Sequence, residues 1–164
     1  LMALIDIPAD RTYKRESGFH LLLNDIQHPG NLGAILRTNA ASGNSLIFLS
    51  KGSCALWAPK TIRGSQGTQF FLRCFENQDL FALIENFNFP TYSLSMSGDS
   101  IFNHQFDRDV AVIIGNEGRG IDERLEQKVH KILSIPMQKH IESLNVSVAA
   151  SIAMYEYARQ LQLK

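Results

Sequence analysis

Apolar residues along this chain gather in short runs, separated by segments in which they recur at helical spacing. The runs at residues 3–7, 19–23, 46–49, 70–75, 92–96 and 132–135 read as strands. Val110-Ala111-Val112-Ile113-Ile114 is apolar without alternation, which predicts a central strand covered on both faces. Between these runs, residues 29–41 carry helical spacing, with Pro29 in the first turn and Gly43 beyond the end. A short helix is expected over 59–63, broken by Gly64-Ser65-Gln66-Gly67. Leu80, Leu83, Ile84 and Phe87 fall at i, i+3, i+4 and i+7, so 79–87 reads as an amphipathic helix. Asp122 is placed to cap a short helix reaching Lys128. Residues 145–161 form the longest helix. Strands alternating with helices predict an α/β fold: a mostly parallel sheet flanked by helices.

The last helix departs from the amphipathic pattern. From Val146 to Ala153 it is apolar or small on nearly every side, with Ser147 and Ser151 the only polar interruptions. Glu156, Arg159 and Gln160 bring polarity only near its end. A helix apolar all round is covered all round. In one small domain this predicts a subunit interface.

Composition narrows the classes. The chain has 164 residues, 45% of them hydrophobic and 20% charged, which fits a single globular domain over 1–164. Its 16 basic and 16 acidic residues cancel, so the basic excess of a simple nucleic-acid binder is missing. The two cysteines, Cys54 and Cys74, read as reduced thiols of a cytoplasmic protein. No CxxC or HxxxH occurs, and His20, His28, His104, His130 and His140 show no ligand-like spacing, so no metal is expected. The longest clean apolar stretch, Val110–Ile114, is far too short for a membrane span, and the start has no signal-peptide pattern.

Three segments carry candidate chemistry. In the first helix, Gly30, Gly33 and Arg37 lie at i, i+3 and i+7, where small residues let a ligand or another backbone approach beside a fixed cation. The alternative is a tightly packed helix with Arg37 in a structural ion pair. Asn31 sits near that helix's start, where free N–H groups collect. Gly115-Asn116-Glu117-Gly118-Arg119-Gly120 follows the central strand, where α/β proteins bind ligands. Its G-x-x-G-x-G order is neither the dinucleotide fingerprint nor a phosphate loop. Finally, Ile135-Pro136-Met137 precedes Glu142-Ser143-Leu144-Asn145, where Asn145 or Ser143 can cap the last helix.

Together these segments resemble the three motifs of the SpoU/TrmH family of SPOUT methyltransferases. The first is Asn24-Asp25-Ile26-Gln27-His28-Pro29-Gly30-Asn31-Leu32-Gly33-Ala34-Ile35-Leu36-Arg37-Thr38. The second is Val112 to Gly120, and the third joins Ile135-Pro136-Met137 to Glu142 through Ala149. Lys60 to Gly67 resembles a further family segment. The likeness runs from about Leu4 to Tyr157. It departs at His28, where the family usually has an acidic residue.

The resemblance implies a C-terminal deep trefoil knot, a topology that general chain rules disfavour. It implies an S-adenosylmethionine-dependent enzyme that methylates a ribose 2′-hydroxyl of tRNA or rRNA. It implies a homodimer formed through the knot region and the C-terminal helix. The implied cofactor contacts are Leu94, Gly115, Ile135, Ser143 and Leu144, and the implied catalytic residues are Arg37, Asn31, Glu117 and Asn145. A guanidinium is a poor base, so Arg37 reads first as a clamp on the target phosphate and ribose, and second as the proton acceptor. Glu117 reads either as part of this machinery or as an ion-pair partner of Arg119. Candidate RNA contacts are Arg11, Lys14, Arg15, Lys60, Arg63 and Arg119. Family members often carry an N-terminal RNA-binding domain ahead of this point, so a catalytic domain with a weak grip on RNA is expected. The competing readings are a non-catalytic RNA-binding module and an enzyme that methylates a base nitrogen.

Overall fold

The structure is a computed structural model that describes residues 17–44 and 46–161, together with Asp6, Ile7 and Tyr13. In chain order the elements are β1 (Phe19–Leu23), α1 (Pro29–Ala41), β2 (Leu46–Ser50), α2 (Pro59–Ser65), β3 (Arg73–Gln78) and α3 (Leu80–Glu85). They continue with β4 (Thr91–Ser100), β5 (Val110–Ile114), α4 (Glu123–Glu126), β6 (Lys131–Ser134) and α5 (Val146–Leu161). The six strands stand in the order β3-β2-β1-β5-β4-β6, and every neighbouring pair is parallel. Apart from Asp6 and Ile7, the strand expected at 3–7 lies outside the described residues. So do the candidate RNA contacts Arg11, Lys14 and Arg15.

Cover on both faces explains why β5 is apolar throughout and β1 at every position but His20. Leu21, Leu23, Val110, Val112 and Ile114 face a core built with Leu32, Ile35 and Leu36 of α1 and Ala150, Ala153 and Met154 of α5. Leu22, Ala111 and Ile113 face the opposite core, with Phe48, Phe75, Leu80, Ile84 and Leu125. Helix starts follow local chemistry. Pro29 opens α1, where its missing N–H has no intrahelical partner to lose. Asp79 caps α3 by accepting from the Ala82 N–H, and Asp122 caps α4 by accepting from the Arg124 N–H.

Two strands differ from their expected bounds. The run Phe70-Phe71-Leu72 is spent on a turn after α2, so β3 starts only at Arg73. Gln66 and Gly67 adopt left-handed φ of +54° and +79°, and Thr68–Phe70 forms a 3₁₀ turn. Strand β4 runs past Met96 to Ser100 because a bulge between Leu94 and Asp99 lets both residues pair with Leu133 of β6. The bulge hugs β6: the Ser134 hydroxyl donates to the Gly98 carbonyl at 2.8 Å, and a Cβ on Gly98 would lie 2.6 Å from the Ile132 carbonyl oxygen. The polar stretch Ser97-Gly98-Asp99-Ser100 carries no apolar signal of that pairing.

From edge strand β6 the chain returns to place α5 on α1 and β5. The helix end is clamped to the loop before β5. The Tyr157 hydroxyl donates to the Arg108 carbonyl at 2.6 Å, and Gln160 accepts from the Phe106 N–H at 2.9 Å and donates to the His104 carbonyl at 2.9 Å. Glu156, 7% exposed, receives Arg159 Nε and Nη2 at 2.9 and 2.7 Å and Gln160 Nε2 at 2.8 Å. One side of α5 remains bare, however. Val148 and Tyr155 are each 46% exposed, and with half-buried Ile152 they make an i, i+4, i+7 stripe. The all-round burial read from the sequence therefore does not arise within one chain.

The Arg159 hydrogen bonds hold the Glu156 carboxyl below its ordinary value of 4.5. Its stabilising contribution is therefore complete above that value and is lost as pH falls through the lower, folded-state value. Glu156→Gln is expected to be less stable than the parent at neutral pH. It is also expected to lose less further stability between about pH 6 and about pH 3, as read by urea unfolding across that range. Parallel slopes for parent and variant would contradict the assignment.

Candidate functional site

The loops after β1 and β5 emerge side by side because the two strands pair in register, Leu23 opposite Ile114. The chain then leaves them toward opposite faces, α1 on one and α4 on the other. Such a divergence opens a crevice at the carboxyl ends of the strands. The β5 loop is folded into a tight turn there. Asn116 and Gly120 exchange backbone hydrogen bonds at 2.8 and 2.9 Å, and the Asn116 side chain accepts from the N–H groups of Gly118 and Arg119. Gly115 admits no side chain, since a Cβ would lie 2.4 Å from the Gly120 carbonyl atoms.

Asp25 fastens this turn to β1. Its backbone sits at φ +59°, its N–H donates to the Ser50 hydroxyl at 2.8 Å, and its carbonyl accepts from Asn116 Nδ2 at 2.9 Å. Its carboxylate takes Arg119 Nη2 at 2.6 Å. Arg119 thus pairs with Asp25, not with Glu117. Asp25 and Asn116 are not among the expected site residues, although both lie within the motifs. Their partners are some ninety residues away in the chain, where spacing carries no signal.

Glu117 has another partner. Asn31 Nδ2 donates to Glu117 Oε1 at 2.6 Å, and Asn145 Nδ2 donates to Asn31 Oδ1 at 3.1 Å. Asn145 Oδ1 accepts from the N–H and hydroxyl of Ser147 at 2.9 and 2.6 Å, so the same side chain caps α5. Three of the four expected catalytic residues therefore form one hydrogen-bonded line joining the three motif segments. Arg37 is not tied to them by a hydrogen bond or ion pair. It stands exposed on α1, two turns in from the helix start. The glycines of its stripe serve packing: a Cβ on Gly33 would lie 2.7 Å from Gly64 Cα of α2, so the helices cross backbone to backbone. His28 sits at the α1 N-cap without a side-chain capping bond, its ring 3.1 Å from where a Gly30 Cβ would be.

Beside this line lies a cavity of about 470 Å³, walled by the β4 bulge, the β5 turn, the segment after β6 and the start of α5. Leu94, Gly115, Ile135, Ser143 and Leu144 all line it, and so does Glu117. The volume is that of a small-molecule site. A second cavity of similar size opens across the β5 turn, between α3 and α4. Among the described residues, no group of three or more His, Cys, Asp or Glu side chains is arranged to hold a metal ion, and no helix is long and apolar enough to cross a membrane.

Residues 18–155 match the SpoU rRNA Methylase family. The 23S rRNA (guanosine(2553)-2'-O)-methyltransferase RlmP of Bacillus subtilis is 32% identical over 82% of this chain and 56% of its own length. The SpoU methyltransferase AviRb from Streptomyces viridochromogenes, solved in complex with the cofactor AdoMet, superposes with a TM-score of 0.85 at 26% identity, over 94% of this chain and 66% of that one. A protein solved in work on 2-OH methylation of C/U34 on tRNA gives a TM-score of 0.81 at 28% identity, over 90% of this chain and 99% of that one. The chain spans about a third to two-thirds of the length of the curated relatives it matches.

The turn after β5 depends on the bare Cα of Gly115. Gly115→Ala is expected to force that turn open. In hydrogen–deuterium exchange the Asn116 and Gly120 amides should then exchange at least about tenfold faster, while β1 and β5 amides stay protected. Unchanged exchange in the turn would show that it tolerates the methyl group.

Proposed function

The chain belongs to the SpoU rRNA Methylase family, and from that premise we propose that it methylates a ribose 2′-hydroxyl of tRNA or rRNA, with S-adenosylmethionine as donor. The observation that carries this reading is Glu117. It lines the small-molecule cavity and at the same time receives the Asn31 amide of the three-residue line. The cavity and the polar line thus share one side chain.

The residues present fit the donor. The cavity presents the apolar Leu94, Ile135 and Leu144 side chains together with backbone around Gly115, where any added Cβ would block the turn. When bound, S-adenosylmethionine supplies a methyl group already activated by its sulfonium charge. The protein's part is to hold the hydroxyl in line and to ease its proton loss, and alignment alone supplies several of the roughly 7–11 kcal/mol that well-oriented groups reach. Glu117 Oε1 is committed to Asn31, which leaves Oε2 to accept from a ribose hydroxyl. Asn145 fixes Asn31 from the other side, and its own orientation is fixed by capping α5. Arg37 clamps the target phosphate from α1. A guanidinium there lowers the proton affinity of the nearby hydroxyl without itself giving up a proton.

The knot expected of this family would be tied where the chain leaves β6, beside the β4 bulge that hugs it. The bare stripe of Val148, Ile152 and Tyr155 on α5 supports a homodimer through that helix, together with exposed Ile141 just before it. Cys54 and Cys74 are not joined in a disulfide, which fits a cytoplasmic protein.

Arg37→Ala is expected to bind S-adenosylmethionine like the parent in calorimetric titration. Its methyl transfer to tRNA and rRNA from a strain lacking the gene should fall about a hundredfold or more. Digestion of the product should yield 2′-O-methylnucleosides. A variant that keeps near-parental transfer removes Arg37 from the mechanism. A methylated base excludes the ribose as target, and a parent that binds no S-adenosylmethionine is a binding module only.

For the dimer, Val148→Asp places a charge in the middle of the stripe. It is expected to sediment as a monomer at concentrations where the parent is a dimer. Identical sedimentation would move the interface elsewhere.

A further inference from the structure

The neutral charge of the chain is a cancellation between segments. From Ile26 to Phe75 there are five basic residues, Arg37, Lys51, Lys60, Arg63 and Arg73, and no aspartate or glutamate. This stretch builds α1, α2 and the turn that follows α2. The turn presents two aromatic side chains outward: Phe71 is 83% exposed and Phe70 42%. Lys60 and Arg63 are exposed on α2, next to that turn in the chain.

The turn is held stiffly for a surface loop. The buried Ser65 hydroxyl bonds the Ile62 carbonyl and Gln69 Oε1 and accepts from the Gly67 N–H, and the Thr68 hydroxyl donates to the Ser65 carbonyl. The Phe70 and Phe71 N–H groups close on the Gly67 and Thr68 carbonyls. Trp57, packed against the core, backs Phe70 with ring centroids 5.2 Å apart at 58°. The Gly33–Gly64 contact fixes α2, and the turn with it, relative to Asn31 and Arg37 on α1. Outward aromatic side chains on a braced turn, in a stretch of chain that carries cations and no carboxylate, match single-stranded nucleic acid, whose bases stack while its phosphates meet the cations.

We propose that Phe70 and Phe71, flanked by Lys60 and Arg63, form a stacking platform for unpaired bases of the RNA beside the nucleotide being methylated. The proposal rests on the RNA reading above and adds to it a substrate class: a target in a single-stranded loop or bulge. Because Phe71 touches so little, its replacement leaves the fold intact.

The test is a titration of the whole chain with a single-stranded oligouridine of about 12 nucleotides, followed by anisotropy and by fluorescence of Trp57, the only tryptophan. The parent should bind with quenching of Trp57. Phe71→Ala should bind about tenfold more weakly, and Phe71→Tyr should bind like the parent. Lys60→Ala with Arg63→Ala should lower the slope of log affinity against log salt by roughly 1.4. In methyl transfer, Phe71→Ala should raise KM for RNA and leave S-adenosylmethionine binding unchanged. Parental oligouridine affinity in Phe71→Ala, or no Trp57 quenching in the parent, overturns the platform. A Phe71→Ala variant that changes sedimentation but not RNA affinity marks a subunit interface and overturns it too. Oligouridine binding by a parent that transfers no methyl group would overturn the activity and leave the platform standing.

Discussion

The pairing of β1 with β5 is the constraint on which the rest of the molecule hangs. Two apolar strands ninety residues apart in the chain lie parallel and in register, buried on both faces. Their register decides which loop residues meet. With Leu23 opposite Ile114, the Asn24 N–H donates to the Ile114 carbonyl at 2.8 Å, and Asp25 arrives where Asn116 and Arg119 can bind it. A slip of one residue would turn every side chain of β1 to the wrong face, so the hydrophobic cores themselves enforce the geometry of the polar loops. The strained φ at Asp25 is sustained by bonds to its N–H, its carbonyl and its carboxylate.

The features legible in the sequence are those that rest on local physics. Residues 110–114 show their two-sided burial in an unbroken apolar run. Pro29, Asp79 and Asp122 mark helix starts through chemistry within a single turn. The five residues expected around the cofactor were named through the resemblance, and they share a cavity because the β4 bulge, the β5 turn, the segment after β6 and the start of α5 meet there. Long-range choices were not legible. Nothing local says that Arg119 should take Asp25 and leave Glu117 to Asn31. The Phe70-Phe71-Leu72 run is ambiguous for a different reason. Its composition is that of a strand, but the left-handed pair Gln66-Gly67 turns the chain before the strand can start.

Charge shows how an average misleads. A zero total is consistent with evenly mixed charges and equally with two halves of opposite sign. Here the acidic residues are missing from α1 and α2 and concentrated after Phe75. Fields act over roughly 10 Å at moderate salt, so the local balance around a site matters and the total does not. A neutral chain can therefore carry a segment with cations and no carboxylates while staying free of strong self-repulsion.

Asn145 ties stability to chemistry. Its oxygen caps α5 and its amide holds Asn31, so the start of the longest helix and the polar line at the site are one structure. The far end of that helix is locked by Tyr157 and Gln160 to the loop that leads into β5. A load on α5 is therefore transmitted to the crevice through the cap, reaching Asn31 and Glu117, and to the amino end of β5 through the loop. The bare apolar stripe lies between those two anchors. The homodimer proposed above, packed on Val148, Ile152 and Tyr155, would press on a rod already fastened at both ends, so association would stiffen the site.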